Sequence, residues 1–363
     1  MSILMETNNC CLLDHRGYLV KLYSKVMDNS HGVSCFKILN FLFHMVNTKY
    51  SKDVDLKRKH KSSEYHEETI RIKFKYNLFI NQIPTSLKDE LYNGGSNIES
   101  AEVRQLSQKL FEGTLFDHIG LSGGNNIESP LKCKIRNEYF LIPQNSRFHC
   151  GCVKEQCQKL DGNKYNILVA DPPWWNKYIR RLKNANEKLS YSMMYNEDIA
   201  NIPVRNLLAT DCLVAVWCTN APSNIDAVKN IIFPKWGVEY VTTWYWLKVT
   251  IDLKPIYPFS TVCKKQPYER IIIGKVGNVK DIPEEKIIIS VPSALHSHKP
   301  PLLDLLKPFV HTDNPEILEL FARYLLPNTT SVGYEPLKWQ HLSLYELVTD
   351  KYSLFKFYYF FID

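Results

Sequence analysis

The sequence has few of the signals that mark several large protein classes. No Gly-x-Gly-x-x-Gly fingerprint follows a candidate strand, which argues against the usual nicotinamide and flavin enzymes. Residues 1–9 are polar and lack the basic start and apolar core of a secretory signal, so we expect the ten cysteines to be reduced thiols. The aromatic run 354–362 is interrupted by Lys356 and is too short to span a bilayer, so we expect no membrane partner.

Metal-binding patterns and extreme charge are also missing. His149, Cys150, Cys152 and Cys157 lie close together, but their spacing matches no paired Cys-x-x-Cys pattern, and we assign no metal site. The net charge of +7 is modest for a nucleic-acid-binding protein, so any basic footprint must be local. The basic run 57–61 favours the nucleus, with the cytoplasm as an alternative, although most such runs are only solvated charge.

The chain does contain a rigid turn behind an apolar run. Residues 167–170 are all apolar, and Asp171-Pro172-Pro173-Trp174 follows them directly. Each proline fixes its own φ and carries no N–H, and Pro172 biases Asp171 away from helical geometry, so carbonyls here can point outward. Because open α/β sheets bind ligands at the carboxyl ends of their strands, we expect Asp171 to face a pocket.

This turn suits chemistry on a planar exocyclic amine such as N6 of adenine. The lone pair of that nitrogen is delocalised into the ring until acceptors draw on its two hydrogens. The Asp171 carboxylate and the Pro172 carbonyl offer two such acceptors, and Trp174, with Trp175 behind it, offers a flat face for the base. The alternative interpretation is a plain turn with a capping aspartate and a core tryptophan.

Residues 138–342 resemble the adenosine N6-methyltransferases marked by Asp-Pro-Pro-Trp, and more narrowly their methyltransferase-like-four branch. The matching segments are 139–143, 171–174 with 176–177, 191–192, 246–249, 267–269, 291–301 and 319–323. The resemblance implies an α/β, Rossmann-like class I methyltransferase fold with permuted motif order. It also implies S-adenosyl-L-methionine as the cofactor, bound by segments that follow the catalytic motif.

The resemblance further implies a set of cofactor-binding residues. Lys299 would pair with the methionine carboxylate with His298 beside it, and Glu319 and Arg323 would lie near the ribose. The cofactor-binding residues that we assign are Ala170, Asp171, His298, Lys299, Glu319, Arg323, Tyr334 and Glu335. The spacing of Glu319 and Arg323 also fits a helix salt bridge, but we predict a strand there because the family has one.

Two departures from the family pattern concern the cofactor. Gly333-Tyr334-Glu335 stands where the family commonly has Gly-Asn-Glu, so a phenol replaces an amide. The family's Asp-Ile pair has no counterpart in 148–152, where no carboxylate occurs. Both departures predict weaker cofactor binding, unless the alignment is shifted locally. They also keep open a catalytically silent RNA-binding scaffold, against which the intact tetrapeptide argues.

Substrate contacts are predicted from basic residues beside the motif, for which solvated charge is the alternative. The residues assigned are Asn176, Lys177, Arg180, Arg181, Lys183, Tyr191, Lys248, Lys264, Lys265 and Glu269. Because a paired adenine hides its amine, we expect single-stranded or looped nucleic acid, with RNA favoured over DNA. The branch resemblance implies 2′-O-methyladenosine in a small nuclear RNA. The oligomeric state is left open, with a monomer as the simplest expectation.

All seven tryptophans lie between Trp174 and Trp339, and this difference in amino-acid composition divides the chain. We predict an N-terminal α+β accessory domain at 1–160, a catalytic domain at 161–345 and an aromatic tail at 346–363. In the first part, patterns predict a helix at 36–45, a loop at 51–68, a strand at 70–76, and polar loops at 94–100 and 123–129 flanking a helix near 101–111. In the second part, they predict strands at 213–217, 238–246, 270–274 and 287–291 and helices at 198–208, 223–233 and 301–309.

Overall fold

The computed structural model describes residues 3–28, 32–46, 63–93, 100–113, 118–175, 193–259 and 266–348. The strands are β1 (Ile3–Glu6), β2 (Cys10–Leu13), β3 (Val26–Asp28), β4 (Gly32–Ser34), β5 (Phe36–Ile38), β6 (Ser122–Asn125), β7 (Leu131–Ile135), β8 (Glu138–Ile142), β9 (Ser146–Cys150), β10 (Tyr165–Ala170), β11 (Leu208–Cys218), β12 (Glu239–Lys248), β13 (Tyr268–Val276), β14 (Ile287–Ser290), β15 (Ile317–Leu320), β16 (Thr330–Gly333) and β17 (Tyr345–Leu347).

The α-helices are α1 (His15–Leu22), α2 (Ser63–Gln82), α3 (Thr85–Asn93), α4 (Ser100–Gly113), α5 (Val153–Lys159), α6 (Asn196–Ala200), α7 (Pro222–Ala227), α8 (Phe233–Trp236) and α9 (Leu303–Leu306). A π-helical segment, Val228–Ile232, joins α7 to α8. Short 3₁₀ turns are Asn40–Phe43, Val204–Leu207, Lys307–Phe309, Lys338–Gln340 and Leu342–Leu344. Among the described residues, no helix combines the length and the hydropathy that crossing a bilayer requires.

Eleven strands form one central sheet in the order β1-β2-β14-β12-β13-β11-β10-β15-β16-β9-β6. Around β10 the pairing is parallel, with β11 on one side and β15, β16 and β9 in succession on the other. On the far side of β11, β13 is antiparallel to both β11 and β12. This mixed, mostly parallel α/β sheet confirms the predicted Rossmann-like fold class.

The apolar run that precedes Asp171 is the centre of this sheet. Its residues alternate between the two faces, with Ile167 and Val169 in one buried cluster and Leu168 and Ala170 in another. A strand covered on both sides is continuously apolar, whereas a half-exposed strand alternates. This explains why a short unbroken run, rather than an alternating one, marks the strand that precedes Asp171.

The first 160 residues, predicted as an accessory domain, add strands to both edges of this same sheet. β2 pairs in parallel with β14 at one edge, and β9 pairs in parallel with β16 at the other. Two smaller sheets, β4-β3-β7-β8 and β17-β5, complete the strand pairing. The predicted boundary at residue 160 therefore does not coincide with a break in the central sheet.

Several local predictions for this N-terminal part are wrong. The predicted strand at 70–76 lies inside helix α2, and the predicted loop at 51–68 includes the start of that helix. The predicted helix at 36–45 is strand β5 followed by a 3₁₀ turn, because β5 pairs with β17 from the other end of the chain. The polar loop at 123–129 begins in β6, which is held by antiparallel pairing with β9.

The remaining local predictions fare better. The helix near 101–111 is confirmed as α4, and the four strands predicted after residue 210 are confirmed as β11 to β14. The helix at 223–233 is confirmed, with its π-helical segment. The helices predicted at 198–208 and 301–309 are each a short α-helix and a 3₁₀ turn. The tail from 349 and most of the loop at 94–100 lie outside the described residues.

Candidate active site

The site lies where several strand ends meet at one edge of the central sheet. Because β9, β10, β11, β15 and β16 run parallel, their carboxyl ends share that edge, and the antiparallel β13 begins there. Asp171 follows β10 directly, Phe321 follows β15 and Tyr334 follows β16. Chain segments far apart in sequence therefore contribute side chains to one place.

Backbone hydrogen bonds fix the Asp171–Trp174 turn. The Asp171 N–H donates to the Leu320 carbonyl at 3.2 Å, and the Trp174 N–H donates to the Pro172 carbonyl at 2.8 Å. A carbonyl oxygen accepts two hydrogen bonds, so the Pro172 carbonyl keeps the capacity to accept one more. The Asp171 side chain is only 16% exposed, which places a partly buried carboxylate at the sheet edge.

Trp174 has the environment of a core residue. It is 7% exposed, packs in the cluster that contains Leu168 and Ala170, and donates from Nε1 to the Trp217 carbonyl at 2.9 Å. A ring buried this deeply presents little surface to a base. The base-stacking role of Trp174 therefore stays a prediction. The arrangement fits better with the alternative, in which Trp174 is a core residue.

A chain of alternating charges runs along the edge through Asp171. Its members, in spatial order, are Lys248, Glu269, Lys299, Asp171, Arg323, Glu335 and Lys338. Lys299 Nζ lies 3.5 Å from Asp171 Oδ1, and Arg323 Nη1 lies 3.6 Å from Asp171 Oδ2. Both distances are long for charge-assisted hydrogen bonds, so the Asp171 oxygens keep acceptor capacity between two cations.

The Lys299 ammonium lies between Glu269 and Asp171 in this chain. Its Nζ lies 2.6 Å from Glu269 Oε2, and Glu269 also contacts Lys248. Burial alone would raise the pKa of Glu269, but Lys299 and Lys248 hold it well below its ordinary value. Burial would likewise lower the pKa of Lys299, and Asp171 and Glu269 raise it instead. Lys248 and Glu269, predicted as substrate contacts, are therefore paired with other site residues in this structure.

A cleft of about 330 Å³ opens beside this charge chain. Its lining residues are Cys152, Val153, Lys154, Pro173, Met193, Met194, Tyr195, Asp198, Phe321, Ala322, Arg323, Tyr334 and Glu335. Three of the predicted cofactor residues, Arg323, Tyr334 and Glu335, are among them. A largely apolar cleft with a few convergent polar groups is the usual form of a small-molecule site.

Two carboxylates have oxygens without hydrogen-bond donors in the described part of the chain; Glu335 lines the cleft, whereas Glu319 is not among its lining residues. These atoms are Glu319 Oε2 and Glu335 Oε2, and both are shielded from solvent. Burial, and then the neighbouring Asp171, raise the pKa of Glu319 to about 8. Glu319 lies in strand β15, as the family resemblance predicts and its helical periodicity does not. Buried acceptors of this kind suit a ligand that brings hydroxyl donors.

His298 is not brought into the cleft, although Lys299 follows it in sequence. Its ring is 3% exposed and packs edge-on against His15 and Tyr324, at centroid distances of 4.6 and 4.8 Å. Neither ring nitrogen has a hydrogen-bond partner among the described residues, and burial lowers its pKa to about 3. The predicted cofactor contact of His298 thus has no support in this geometry, because its side chain faces the core.

The structure adds residues that the sequence did not single out. Phe321 lines the cleft with a positive φ of 62°, a left-handed conformation that is costly for a bulky residue and often marks a functional site. Cys152 and Lys154 line the cleft at the place of the missing family carboxylate. Burial and the adjacent Cys152 raise the pKa of Tyr334. Phe321 had a signal in the sequence as part of the matching segment 319–323, and Cys152 as part of the segment 148–152 that lacks the family's Asp-Ile pair, whereas Lys154 had none.

Ala170, also assigned to the cofactor, is fully buried at the end of β10. The predicted substrate residues that lie outside the described part of the chain are Asn176, Lys177, Arg180, Arg181, Lys183, Tyr191, Lys264 and Lys265. The basic run 57–61 also lies outside it. Among the described residues, no group of His, Cys, Asp and Glu side chains is arranged to hold a metal ion.

Comparisons with known proteins match the same region. A sequence model of the MT-A70 family matches residues 165–335. The chain is 36% identical over 234 residues to the Homo sapiens protein named N(6)-adenine-specific methyltransferase METTL4, covering 61% of this chain and 48% of that protein.

Two further relatives are named for different nucleic acids. The Caenorhabditis elegans protein named DNA N6-methyl methyltransferase is 42% identical over 205 residues, covering 54% of this chain and 53% of that protein. The Pyricularia oryzae protein named N6-methyladenosine RNA methyltransferase MTA1 is 31% identical over 221 residues, covering 58% of each. The chain spans about half the length of the curated relatives that it matches.

Proposed function

Because this chain belongs to the MT-A70 family, in its METTL4 branch, we propose that it is an S-adenosylmethionine-dependent methyltransferase acting on N6 of adenosine in RNA. The observation that carries the proposal is the position of Asp171. Its carboxylate stands at the sheet edge between the cations of Lys299 and Arg323, beside a cleft of small-molecule size.

Asp171 and Pro172 hold the reacting amine. The carboxylate accepts one N–H of the adenine amine, and the second acceptor position of the Pro172 carbonyl accepts the other. Drawing on both hydrogens frees the nitrogen lone pair from the ring and fixes its direction. Lys299 and Arg323 keep the carboxylate in place from either side, so little reorganisation is needed when the base arrives.

The residues around the cleft fit S-adenosylmethionine. Glu319 Oε2 and Glu335 Oε2, which accept no hydrogen bond from the described residues, suit the two ribose hydroxyls, which are donors. Lys299 carries three N–H groups, of which Glu269 accepts one at 2.6 Å, so donors remain available to the methionine carboxylate. When bound, this cofactor supplies the electrophilic methyl group. Tyr334 stands at the edge of the cleft where the family commonly has an amide.

RNA is our preferred substrate, with 2′-O-methyladenosine in a small nuclear RNA as the specific candidate. The RNA methyltransferases named MTA1 support RNA, and the METTL4 relatives support the branch. DNA is the second candidate, because the C. elegans relative is named for DNA. Either strand must present an unstacked adenine, since a paired base hides the amine from Asp171.

A competition assay separates these substrates. Matched single strands of RNA, DNA and RNA with one 2′-O-methyladenosine are offered together at equal concentration, and N6-methyladenosine is measured in each by mass spectrometry. The proposal predicts more product in RNA than in DNA, and most in the 2′-O-methylated strand. Preferred methylation of DNA would replace the RNA proposal, and equal rates on the two RNA strands would remove the 2′-O-methyl claim.

A further inference from the structure

Two aromatic side chains meet at the mouth of the cleft because of one backbone bridge. Trp174 and Met194 form an isolated parallel β-bridge, and the Met194 N–H donates to the Pro173 carbonyl at 2.9 Å. Successive side chains of extended backbone point to opposite sides. Because Trp174 points into the core, the next residues, Trp175 and Tyr195, are placed side by side on the outer face.

The two rings form a nearly parallel pair. Their centroids lie 6.1 Å apart, and the angle between their planes is 19°. Trp175 is partly buried, whereas Tyr195 is 59% exposed. Trp174, with 7% exposure, offers no comparable surface. Tyr195 therefore presents an exposed aromatic face. The Trp174–Met194 bridge places it beside the turn that begins at Asp171, and it lines the cleft together with Pro173 and Met194.

We propose that the exposed face of Tyr195, backed by Trp175, stacks against a nucleobase of the single-stranded substrate. This inference rests on the proposed function, since it supplies the base contact that the buried Trp174 does not. Stacking on an aromatic ring is available to every base, and tyrosine loses little conformational freedom when it is covered. The base is held beside the turn that presents Asp171.

The charge around Tyr195 favours a base over a phosphate. Glu197 and Asp198 are exposed in the first turn of α6, directly after Tyr195. Phosphate oxygens would be repelled by these carboxylates, whereas the face of a neutral base would not. The contact at this wall of the cleft is therefore with the planar part of the nucleotide.

The test replaces the ring and keeps the fold. Tyr195→Ala removes the stacking face, Tyr195→Phe retains it, and Tyr240→Ala is the matched control. Tyr240 is 38% exposed and lies near the start of β12, at the opposite edge of the sheet. We measure binding of a fluorescein-labelled single-stranded oligonucleotide by anisotropy at fixed salt, and binding of S-adenosylmethionine by calorimetry.

The expected result is a loss of oligonucleotide affinity of roughly 5- to 100-fold in Tyr195→Ala. Tyr195→Phe and Tyr240→Ala should bind the oligonucleotide like the wild type, and Tyr195→Ala should lose much less affinity for the cofactor than for the oligonucleotide. Unchanged oligonucleotide affinity in Tyr195→Ala would overturn the proposal. A loss of cofactor affinity as large as the loss of oligonucleotide affinity in that variant would also overturn it, because the Tyr195 ring would then act mainly on the cofactor side of the cleft.

Oligonucleotides with a single abasic site identify the stacked base. The abasic site is moved in turn from the target adenosine to each neighbour. At one position it should weaken binding to the wild type but not to Tyr195→Ala, which assigns the base as the target or a flanking one. If no position shows this difference, the stacking proposal is wrong. Methyl transfer is measured separately, so a protein that binds bases through Tyr195 but transfers no methyl would contradict only the proposed function.

Discussion

At the scale of single residues, this site depends on carboxylates whose surroundings differ. Asp171 lies between two cations, and Glu269 is paired with Lys299 and Lys248. Glu319 is buried and forms no ion pair with the described residues. Burial therefore dominates at Glu319 and raises its pKa, whereas ion pairing dominates at Glu269 and lowers it. Two glutamates in one site therefore have pKa values shifted in opposite directions.

Cofactor binding should depend on pH through Glu319. Its pKa of about 8 keeps it largely protonated at pH 7, and hydroxyl donors favour the ionised form. Binding should therefore release a proton near pH 7, and affinity should rise with pH until about pH 8. Calorimetry of S-adenosylmethionine binding in buffers of different ionisation enthalpy measures this proton release. Glu319→Gln should abolish it, and an unchanged proton release in that variant would place the titration elsewhere.

The buried histidine pair should make the protein sensitive to acid. The pKa of His298 falls from 6.5 to about 3 on folding, so the unfolded chain binds more protons than the folded chain between those values. This contribution to stability is full above pH 6.5 and is lost as the pH falls, by up to about 1.4 kcal/mol per pH unit.

Urea unfolding at pH 7 and pH 5 measures this effect. The loss of stability between these values should be smaller in His298→Phe than in the wild type, because Phe cannot be protonated. His311→Gln, in an exposed loop, serves as the control and should behave like the wild type. An equal loss in all three proteins would mean that His298 is not the residue responsible.

At the scale of elements, helix α2 shows where local patterns mislead. Its segment 70–76 alternates like a strand, but the buried residues described within the helix are Thr69, Ile72, Tyr76 and Phe79, which follow a helical spacing. Ile70 and Phe74 are exposed, so half of the apparent alternation faces solvent. A seven-residue window could not distinguish the two periods, whereas the full helix could.

Strand β15 shows the opposite case. The residues around Glu319 follow a helical stripe, yet β10 and β16 pair with them on both sides and impose a strand. These partners are distant in sequence, so no local pattern contains the information, and only the family resemblance predicted it. The strands of the first 160 residues could not be assigned to the central sheet for the same reason.

A buried ion pair connects helix α2 to strand β13 of the central sheet. Glu68 contacts Arg270, whose side chain is 3% exposed, and accepts hydrogen bonds from Tyr245 at 2.8 Å and Tyr268 at 3.2 Å. Arg270 also donates to Asn220, in the loop after β11. A carboxylate from the N-terminal part thus neutralises a charge inside the sheet edge.

Removing this carboxylate should destabilise the protein. Glu68→Gln removes the carboxylate charge that contacts the buried Arg270, which should cost roughly 2–4 kcal/mol of unfolding free energy. Glu67→Gln, at the neighbouring exposed position, should change it by less than about 1 kcal/mol. Equilibrium urea unfolding measures both. A Glu68→Gln variant as stable as Glu67→Gln would show that the pair contributes little.

At the scale of the whole molecule, the sheet order creates the site. Asp171, Lys299, Arg323 and Glu335 come from four separate segments and meet because their strands end at one edge. The sequence identified these residues through the motif and the resemblance. It could not identify their pairing with one another, the burial of Trp174 or the core position of His298, because each depends on packing between distant segments.

The shared position of Lys299 gives a prediction for the cofactor. Lys299→Ala should weaken S-adenosylmethionine binding by roughly 10- to 100-fold, because it removes a charged hydrogen-bond donor and one of the two cations beside each of Asp171 and Glu269. Lys275→Ala, near the other end of β13, is the control and should bind normally. Calorimetry measures both affinities. Equal affinities in the two variants would remove Lys299 from the cofactor site.

The role of Asp171 in methyl transfer is tested most directly by comparing the product formed by the protein with that formed by its Asp171→Asn variant. A single-stranded RNA with one adenosine is incubated with S-adenosylmethionine, and its nucleosides are analysed by mass spectrometry. Asp161→Asn, an exposed site before β10 at the opposite edge of the sheet, is the control. We expect N6-methyladenosine from the wild type and the control, with a rate at least roughly 100-fold lower for Asp171→Asn. Equal product from Asp171→Asn would contradict the role of Asp171 in holding the adenine amine.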